Sequence, residues 1–191
     1  MRFSYLSKGK KYHLLVFLFL VVMMVVGQYY RSTLQYDRLS IINGDYWRVL
    51  TCHFSHVSWR HLLLNLIGFV FVFSLFFQRY SPAQWISATV FCSVFIAVGF
   101  LIFSPNLAWY MGFSGLIHAF LVMGLVAEIK EKRKIYYLGL AAVFAKVLME
   151  KYVGPSVYMR DFLDFRVVAD AHVFGVLSGL GFSFIANKKV G

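Results

Sequence analysis

Long apolar runs recur along the whole chain, and this feature constrains the fold more than any other. Only 14% of the residues are charged, whereas a soluble domain carries about a quarter. A bilayer-spanning helix needs about 20 apolar residues, and the backbone in lipid must satisfy its own hydrogen bonds. The pattern therefore predicts an all-α, polytopic membrane protein with six transmembrane helices, at approximately 13–30, 59–77, 83–104, 112–128, 134–150 and 167–187.

The fourth and fifth predicted spans are short for a bilayer, which implies local thinning or a helix end sunk inside the protein. With 191 residues, the chain has room for one helical bundle and no separate soluble domain. No linker, internal repeat or low-complexity tract interrupts it. We therefore expect a single membrane domain over residues 1–191.

The distribution of Lys and Arg predicts the orientation. Alternate segments, beginning with the N-terminus, hold 11 of the 19 cations, including the stretch EIKEKRK and the C-terminal Lys188 and Lys189. By the positive-inside rule, both termini are cytoplasmic. This topology also accounts for the net charge of +11, so a nucleic-acid partner is not expected.

The first apolar run is predicted to be a retained span. It follows a basic lead, as a signal peptide would, but it ends in GQYYRS without a small-x-small cleavage site. The two cysteines, Cys52 in a polar loop and Cys92 within an apolar run, are not expected to form a disulfide.

Three polar clusters fall at a similar predicted depth. They are His61 and Asn65 in WRHLLLNLIG, Ser114 and His118 in GFSGLIHAF, and His172 in DAHVFGVLSG. Each lies in the N-terminal part of a span, and these three spans run in the same direction. Polar residues in a span normally face a bundle interior or a cavity. The clusters therefore predict one convergent site.

Such a site contains the parts of a nucleophilic centre. Ser114 lies between Gly112 and Gly115, where the backbone can approach a substrate closely. A serine needs a base in reach, and His172 is the natural candidate. The stripe of Gly175 and Gly179 after it would let the sixth span pack tightly against the fourth. His61 and Asn65, at i and i+4, share one helix face and could donate to the same oxyanion.

Simpler interpretations exist for each residue taken alone. An intramembrane serine often bonds its own i−4 carbonyl, and glycine stripes and single histidines or asparagines often serve only helix packing. His53, His56 and His61 with Cys52 could indicate a metal site, but no acidic or second-layer partner is evident, and neither metal nor cofactor is expected. Lys146 and Glu150 are predicted to neutralise one another at i, i+4. Asp170 is predicted to pair with Arg166 or the positive end of the sixth helix rather than to serve as a third catalytic member.

Four segments together resemble the rhomboid intramembrane serine proteases over roughly residues 40–187. GDYWRVLTCHFSH is similar to the first external loop of that family, with its Trp47–Arg48 pair. The HxxxN of the second span, the GxSG around Ser114 and the AHxxGxxxG beginning at Ala171 follow in the family's order.

The resemblance implies a Ser114–His172 dyad, with no acid needed, and an oxyanion stabilised by Asn65, His61 and the Ser114 backbone N–H. Substrates would be single-span membrane proteins whose helix unwinds near the outer membrane face. The family commonly has an aromatic residue, often tyrosine, four positions after the serine, stacked on the catalytic imidazole. Here that residue is His118, which could stack on the base or compete as base.

The His118 position, the Asp170 before Ala171–His172 and the compact length resemble the rhombosortase branch of bacterial rhomboids. That resemblance implies removal of a C-terminal Gly-Gly-type sorting anchor from exported proteins, in the bacterial inner membrane with the active site open to the periplasmic face. Three alternatives remain: a general rhomboid protease, a non-catalytic binder of membrane spans, and a small transporter or proton pathway. Oligomeric state cannot be read from the sequence.

Overall fold

The computed structural model describes residues 2–131, 133–154 and 167–187. Its helices, in chain order, are α1 (Arg2–Tyr29), α2 (Arg31–Leu34), α3 (Arg38–Ile42), α4 (Arg48–Thr51), α5 (Trp59–Phe76), α6 (Pro82–Phe103), α7 (Ser114–Lys130), α8 (Tyr136–Tyr152) and α9 (Ala169–Asn187). A 3₁₀ turn, Phe77–Arg79, extends α5, and two short strands, β1 (Tyr36–Asp37) and β2 (Trp109–Tyr110), pair with each other.

The prediction of an all-α membrane protein is confirmed. Within the described ranges, four helices are long and apolar enough to cross a bilayer: Lys10–Tyr29, Trp59–Arg79, Pro82–Phe103 and Ala169–Ala186. The predicted fourth and fifth spans correspond to α7 and α8, which have 17 residues each. Such a helix is about 26 Å long, slightly less than the hydrocarbon thickness of about 30 Å. Six spans and their orientation stay predictions.

The core is an aromatic cluster between α5, α6 and α7. Trp85 of α6 is fully buried, with its ring centroid 4.9 Å from Phe73 of α5 and 5.1 Å from Phe120 of α7. Phe69 and Phe113 meet edge to face at 5.3 Å. Large buried rings contribute both apolar area and favourable edge contacts. These ring contacts hold α7 against α5 and α6.

Near the C-terminal ends of α5 and α7, a side-chain ion pair links the two helices. Arg79 donates from Nε and from a terminal nitrogen to the two oxygens of Glu128, at 2.6 and 3.0 Å. Glu128 is only 4% exposed, and Arg133 lies 3.5 Å from the same carboxylate. Bidentate pairing of this kind satisfies a buried carboxylate with good geometry.

The two strands link the segment between α2 and α3 to the segment between α6 and α7. Tyr36 pairs with Tyr110 and Asp37 with Trp109 in an antiparallel ladder. Arg38 donates to the carbonyls of Phe100 and Leu101 at the end of α6, where a cation is favourable. This ladder was absent from the sequence prediction because two-residue strands leave no periodic pattern.

The helices α7 and α9 pack backbone against backbone. A Cβ atom on Gly175 would lie 2.2 Å from the carbonyl oxygen of Gly115, and one on Gly179 would lie 2.4 Å from that of Ala119. Only glycine permits such an approach, which is the geometry of small-residue contacts between membrane helices. The α9 helix makes its most extensive contacts with α7.

We expect Gly179→Ala to separate α9 from α7 and to destabilise the fold by about 1–3 kcal/mol, as overpacking of a close contact does. The measurement is the free energy of unfolding in mixed micelles by SDS titration. Gly181→Ala on the same helix is the matched control, because its Cβ would meet nothing nearer than 3.8 Å, at Phe91. Equal stability of the two variants would contradict this account of the contact.

Candidate active site

Ser114 lies at the first position of α7, directly after a turn at Gly112 that three other residues contact. Gly112 has φ +144°, a conformation that favours glycine, and a Cβ there would lie 2.9 Å from Cε1 of His61. The Tyr110 hydroxyl donates to the Gly112 carbonyl at 2.6 Å, and the Gly112 N–H donates to the carbonyl of Cys52 at 3.2 Å. The turn explains why the helix starts two residues later than predicted.

His172 meets Ser114 across the α7–α9 contact. The Ser114 hydroxyl lies 2.9 Å from Nε2 of His172, which is 4% exposed. The preceding helical residue, Ala171, is packed so closely that a Cβ on Gly115 would lie 2.9 Å from its carbonyl oxygen. The glycines of both helices therefore bring hydroxyl and imidazole within hydrogen-bond distance.

His118 is stacked on His172 and does not contact the hydroxyl of Ser114. The two ring centroids are 4.1 Å apart at an interplanar angle of 21°. Nδ1 of His118 lies 2.8 Å from the Ser114 carbonyl oxygen, one turn back in the same helix, and Nε2 lies 2.8 Å from Nζ of Lys146. A carbonyl only accepts and an ammonium only donates, so these partners assign the proton of His118 to Nδ1. Both ring nitrogens are thus occupied.

Glu150 contacts Nδ1 of His172, the ring nitrogen that does not face Ser114, and the sequence prediction missed this contact. A carboxylate oxygen of Glu150 is 2.7 Å from Nδ1 of His172. Because Nε2 faces the serine hydroxyl, Nδ1 carries the proton and donates to Glu150. The predicted Lys146–Glu150 pair is present, with Nζ 3.0 Å from the carboxylate. The available signal was a charged pair in an apolar span, and intramembrane charges generally mark function.

His61 and Asn65 lie on α5, which packs against α7. His61 is 7% exposed and borders a small cavity next to Ser114. Asn65 is 4% exposed, and one of its amide N–H groups donates to the His61 carbonyl at 2.9 Å. An amide nitrogen has a second N–H. Of the two side chains predicted as oxyanion donors, His61 therefore lies at the cavity and Asn65 lies one turn further along α5.

The cavity beside Ser114 has a volume of about 30 Å³. This is enough for one or two water molecules. Its lining combines the two site residues with apolar and aromatic side chains from the surrounding loops: Val57, His61, Trp109, Tyr110, Met111, Ser114, Val167 and Val168. The Ser114 hydroxyl thus faces a narrow space.

Asp170 stabilises the start of α9 instead of touching His172. Its carboxylate accepts a hydrogen bond of 2.5 Å from the Ser104 hydroxyl and forms an ion pair with Lys151. It also lies in the first turn of α9, as the predicted pairing with a positive helix end requires. Arg166, the other predicted partner, lies outside the described residues.

One group of possible metal ligands occurs among the described side chains, and it differs from the group considered in the sequence. His118, Glu150 and His172 offer ligand atoms within 4.8 Å of one another. Lys146 already supplies a cation there, since its Nζ contacts both His118 and Glu150. Cys52 belongs to no such group in the described ranges, and burial raises the pKa of its thiol.

Two buried histidines line the loop that leads into α5. His53 lies with Nε2 3.1 Å from the Ser93 carbonyl oxygen, and the ring of His56 packs edge to face on His61 at 5.1 Å. Burial lowers the pKa of His53 to about 4 and that of His56 to about 3. Both side chains are therefore neutral packing elements of the loop.

Comparison with known proteins identifies one family. The model of the Rhomboid domain matches residues 43–189, which include all of the site residues described above. No curated protein matches the chain.

The loop histidines predict acid sensitivity of the fold. The unfolded chain binds a proton on His56 as the pH falls through about 6.5, but the folded chain does so only near pH 3, so stability is lost between these values. At pH 5 this amounts to about 2 kcal/mol for one histidine relative to pH 7. We expect His56→Leu to reduce the loss of unfolding free energy between pH 7 and pH 5 by that amount, and so to flatten the pH dependence. An unchanged slope would contradict the neutral, buried state of His56.

Proposed function

The chain belongs to the rhomboid family of intramembrane serine proteases, and we propose that Ser114 and His172 are its catalytic nucleophile and base. The observation that carries this proposal is the 2.9 Å contact between the Ser114 hydroxyl and Nε2 of His172. A nucleophile and base within hydrogen-bond reach are the signature of covalent catalysis by serine.

In the proposed reaction, Ser114 Oγ attacks the carbonyl carbon of a peptide bond while its proton passes to Nε2 of His172. The tetrahedral intermediate collapses when His172 gives that proton to the leaving amine, and an ester of Ser114 remains. Water then attacks the ester, with His172 again taking a proton. The ester bond then breaks as His172 returns this proton to Ser114 Oγ, which releases the carboxylic product and regenerates the serine.

The oxyanion of the intermediate would be stabilised by donors around the small cavity. The backbone N–H of Ser114 belongs to the first turn of a helix, where N–H groups have no intrahelical acceptor. His61 borders the cavity, and the second amide N–H of Asn65 is a further donor within the same helix. Preorganised donors of this kind commonly contribute several kcal/mol to the transition state.

We propose that the whole chain, residues 1–191, forms a single rhomboid-like domain with six spans and cytoplasmic termini. The short α7 and α8 would be the two further spans beside the four long helices. Ser114, Glu150 and His172 would then lie near the outer face of a bacterial inner membrane. Substrates would be single-span proteins whose helix frays at this depth, because unpaired backbone is costly in lipid.

Within this class we favour removal of a C-terminal Gly-Gly-type sorting anchor, as in rhombosortases. The cavity of about 30 Å³ beside Ser114 supports this substrate, because glycine at the cleaved bond has no side chain to accommodate. The histidine at position 118 and the Asp170 before the His172 motif support the same branch. A general rhomboid protease on varied single-span substrates is the second candidate.

We expect Ser114→Ala to abolish cleavage of an exported reporter that carries a Gly-Gly-type C-terminal anchor, and to abolish labelling by a fluorophosphonate. The measurements are reporter size and release in cells and labelling of the purified protein. Ser178→Ala is the matched control, because Ser178 is a buried serine that donates to the Gly175 carbonyl of its own helix.

The outcomes separate the candidate functions. Cleavage of unrelated single-span reporters as fast as the anchored one would favour the general protease. Absence of labelling and cleavage in the unaltered protein would favour a non-catalytic binder of membrane spans. A transporter or proton pathway predicts transport in proteoliposomes that Ser114→Ala leaves intact.

The orientation is testable by cysteine accessibility. We expect an impermeant maleimide to label Tyr46→Cys but not Lys134→Cys in intact spheroplasts, because the former lies before α5 on the outer side and the latter between α7 and α8. Tyr46 is 70% exposed and Lys134 is also exposed, whereas the native Cys52 and Cys92 are buried. The reverse labelling pattern would overturn the proposed orientation.

A further inference from the structure

We propose that Glu150 is a positioning residue for His172, so that the site works as a Ser114–His172–Glu150 triad supported by Lys146 and His118. This inference rests on the proposed function. It adds an acid from α8 to a reaction for which the sequence predicted only the serine and the histidine.

Ser114, His172 and Glu150 are arranged like the serine, histidine and acid of a catalytic triad. Ser114 Oγ is 2.9 Å from Nε2 of His172, and Nδ1 of the same ring is 2.7 Å from Glu150. An acid at Nδ1 holds the imidazole in the tautomer that leaves Nε2 free to accept, and stabilises the imidazolium formed after proton transfer. The His172 side chain is 6% exposed and that of Glu150 is 16% exposed, so solvent screens this contact weakly.

Before the reaction, Lys146 is the positively charged partner of the Glu150 carboxylate. Its ammonium donates to Glu150 at 3.0 Å and to Nε2 of His118 at 2.8 Å. The second contact keeps His118 neutral with its proton on Nδ1, directed at the Ser114 carbonyl. A neutral ring stacked on His172 tolerates the imidazolium, whereas a second imidazolium there would repel it.

The charge balance explains why Glu150 matters during the reaction. At rest, the carboxylate and the ammonium form one ion pair beside a neutral His172. After proton transfer, the site holds two cations, Lys146 and the His172 imidazolium, and the Glu150 carboxylate lies between them. Without that carboxylate, the two cations face each other, and the imidazolium is poorly hydrated because the His172 side chain is only 6% exposed, whereas Lys146 is 43% exposed. Removal of Lys146 should then partly restore the reaction.

The experiment uses the full chain in lipid vesicles with a single-span reporter, and measures kcat, KM and the rate of fluorophosphonate labelling. We expect Glu150→Gln to lower kcat and the labelling rate by about 10²-fold or more, towards the 10⁴-fold loss known for triad acids, with KM within about threefold. Adding Lys146→Met to Glu150→Gln should raise kcat about tenfold over the single variant. The rates are normalised to folded protein, because removal of the unpaired lysine would also restore stability if Glu150 served folding alone.

Glu128→Gln is the matched control, because Glu128 is also an ion-paired carboxylate within the bundle but lies on Arg79, away from Ser114. We expect it to lower the unfolding free energy and to leave kcat within about threefold. If Glu150→Gln does not fold, Glu150→Asp, which keeps the carboxylate, should retain more activity than Glu150→Ala.

The outcomes distinguish this inference from the proposed function. Loss of cleavage in Ser114→Ala with unchanged kcat in Glu150→Gln would overturn the triad and leave the dyad. Full cleavage by Ser114→Ala would overturn the proposed function itself. Loss of activity of the unaltered protein in EDTA would overturn the triad in favour of a metal ion bound by His118, Glu150 and His172.

Discussion

The close approach of α7 and α9 is the contact on which the rest of the site depends. Gly175 and Gly179 present bare backbone to the carbonyls of Gly115 and Ala119, and no side chain separates the two helices. Because His172 lies one turn before Gly175, the register of this contact sets the position of the imidazole relative to Ser114. A displacement of even one methyl group would lengthen the 2.9 Å contact between them beyond hydrogen-bond range.

The helical class and most of the site were accessible from the sequence because they depend on local patterns. Apolar runs identify helices whatever their partners, and the three polar clusters can be read from residue type and spacing. Tertiary contacts set the rest. The start of α7 shifted to Ser114 because the turn at Gly112 packs against His61 and bonds to Cys52, both of which are distant in sequence. The ladder of Tyr36 with Tyr110 left no periodic signal because each strand has only two residues.

Glu150 and Lys146 illustrate a different limit. Their i, i+4 spacing predicts an ion pair, and the pair exists, but spacing does not reveal which neighbouring helix the pair faces. Only the packing of α8 beside α7 and α9 brings both charges to the stacked histidines. Asp170 is the converse case. It precedes the motif histidine by two residues, yet it faces Ser104 and Lys151, because successive helical positions point in different directions.

The brevity of α7 and α8 has a consequence for how substrates arrive. At 17 residues each, these helices would draw the surrounding lipids into a thinner annulus in the proposed six-span arrangement. Membrane proteins partition according to the match between their apolar length and the local bilayer. Proteins with short apolar anchors would therefore concentrate at this side of the molecule, and longer spans would be excluded from it. Part of the selectivity would then arise in the lipid, before any contact with Ser114.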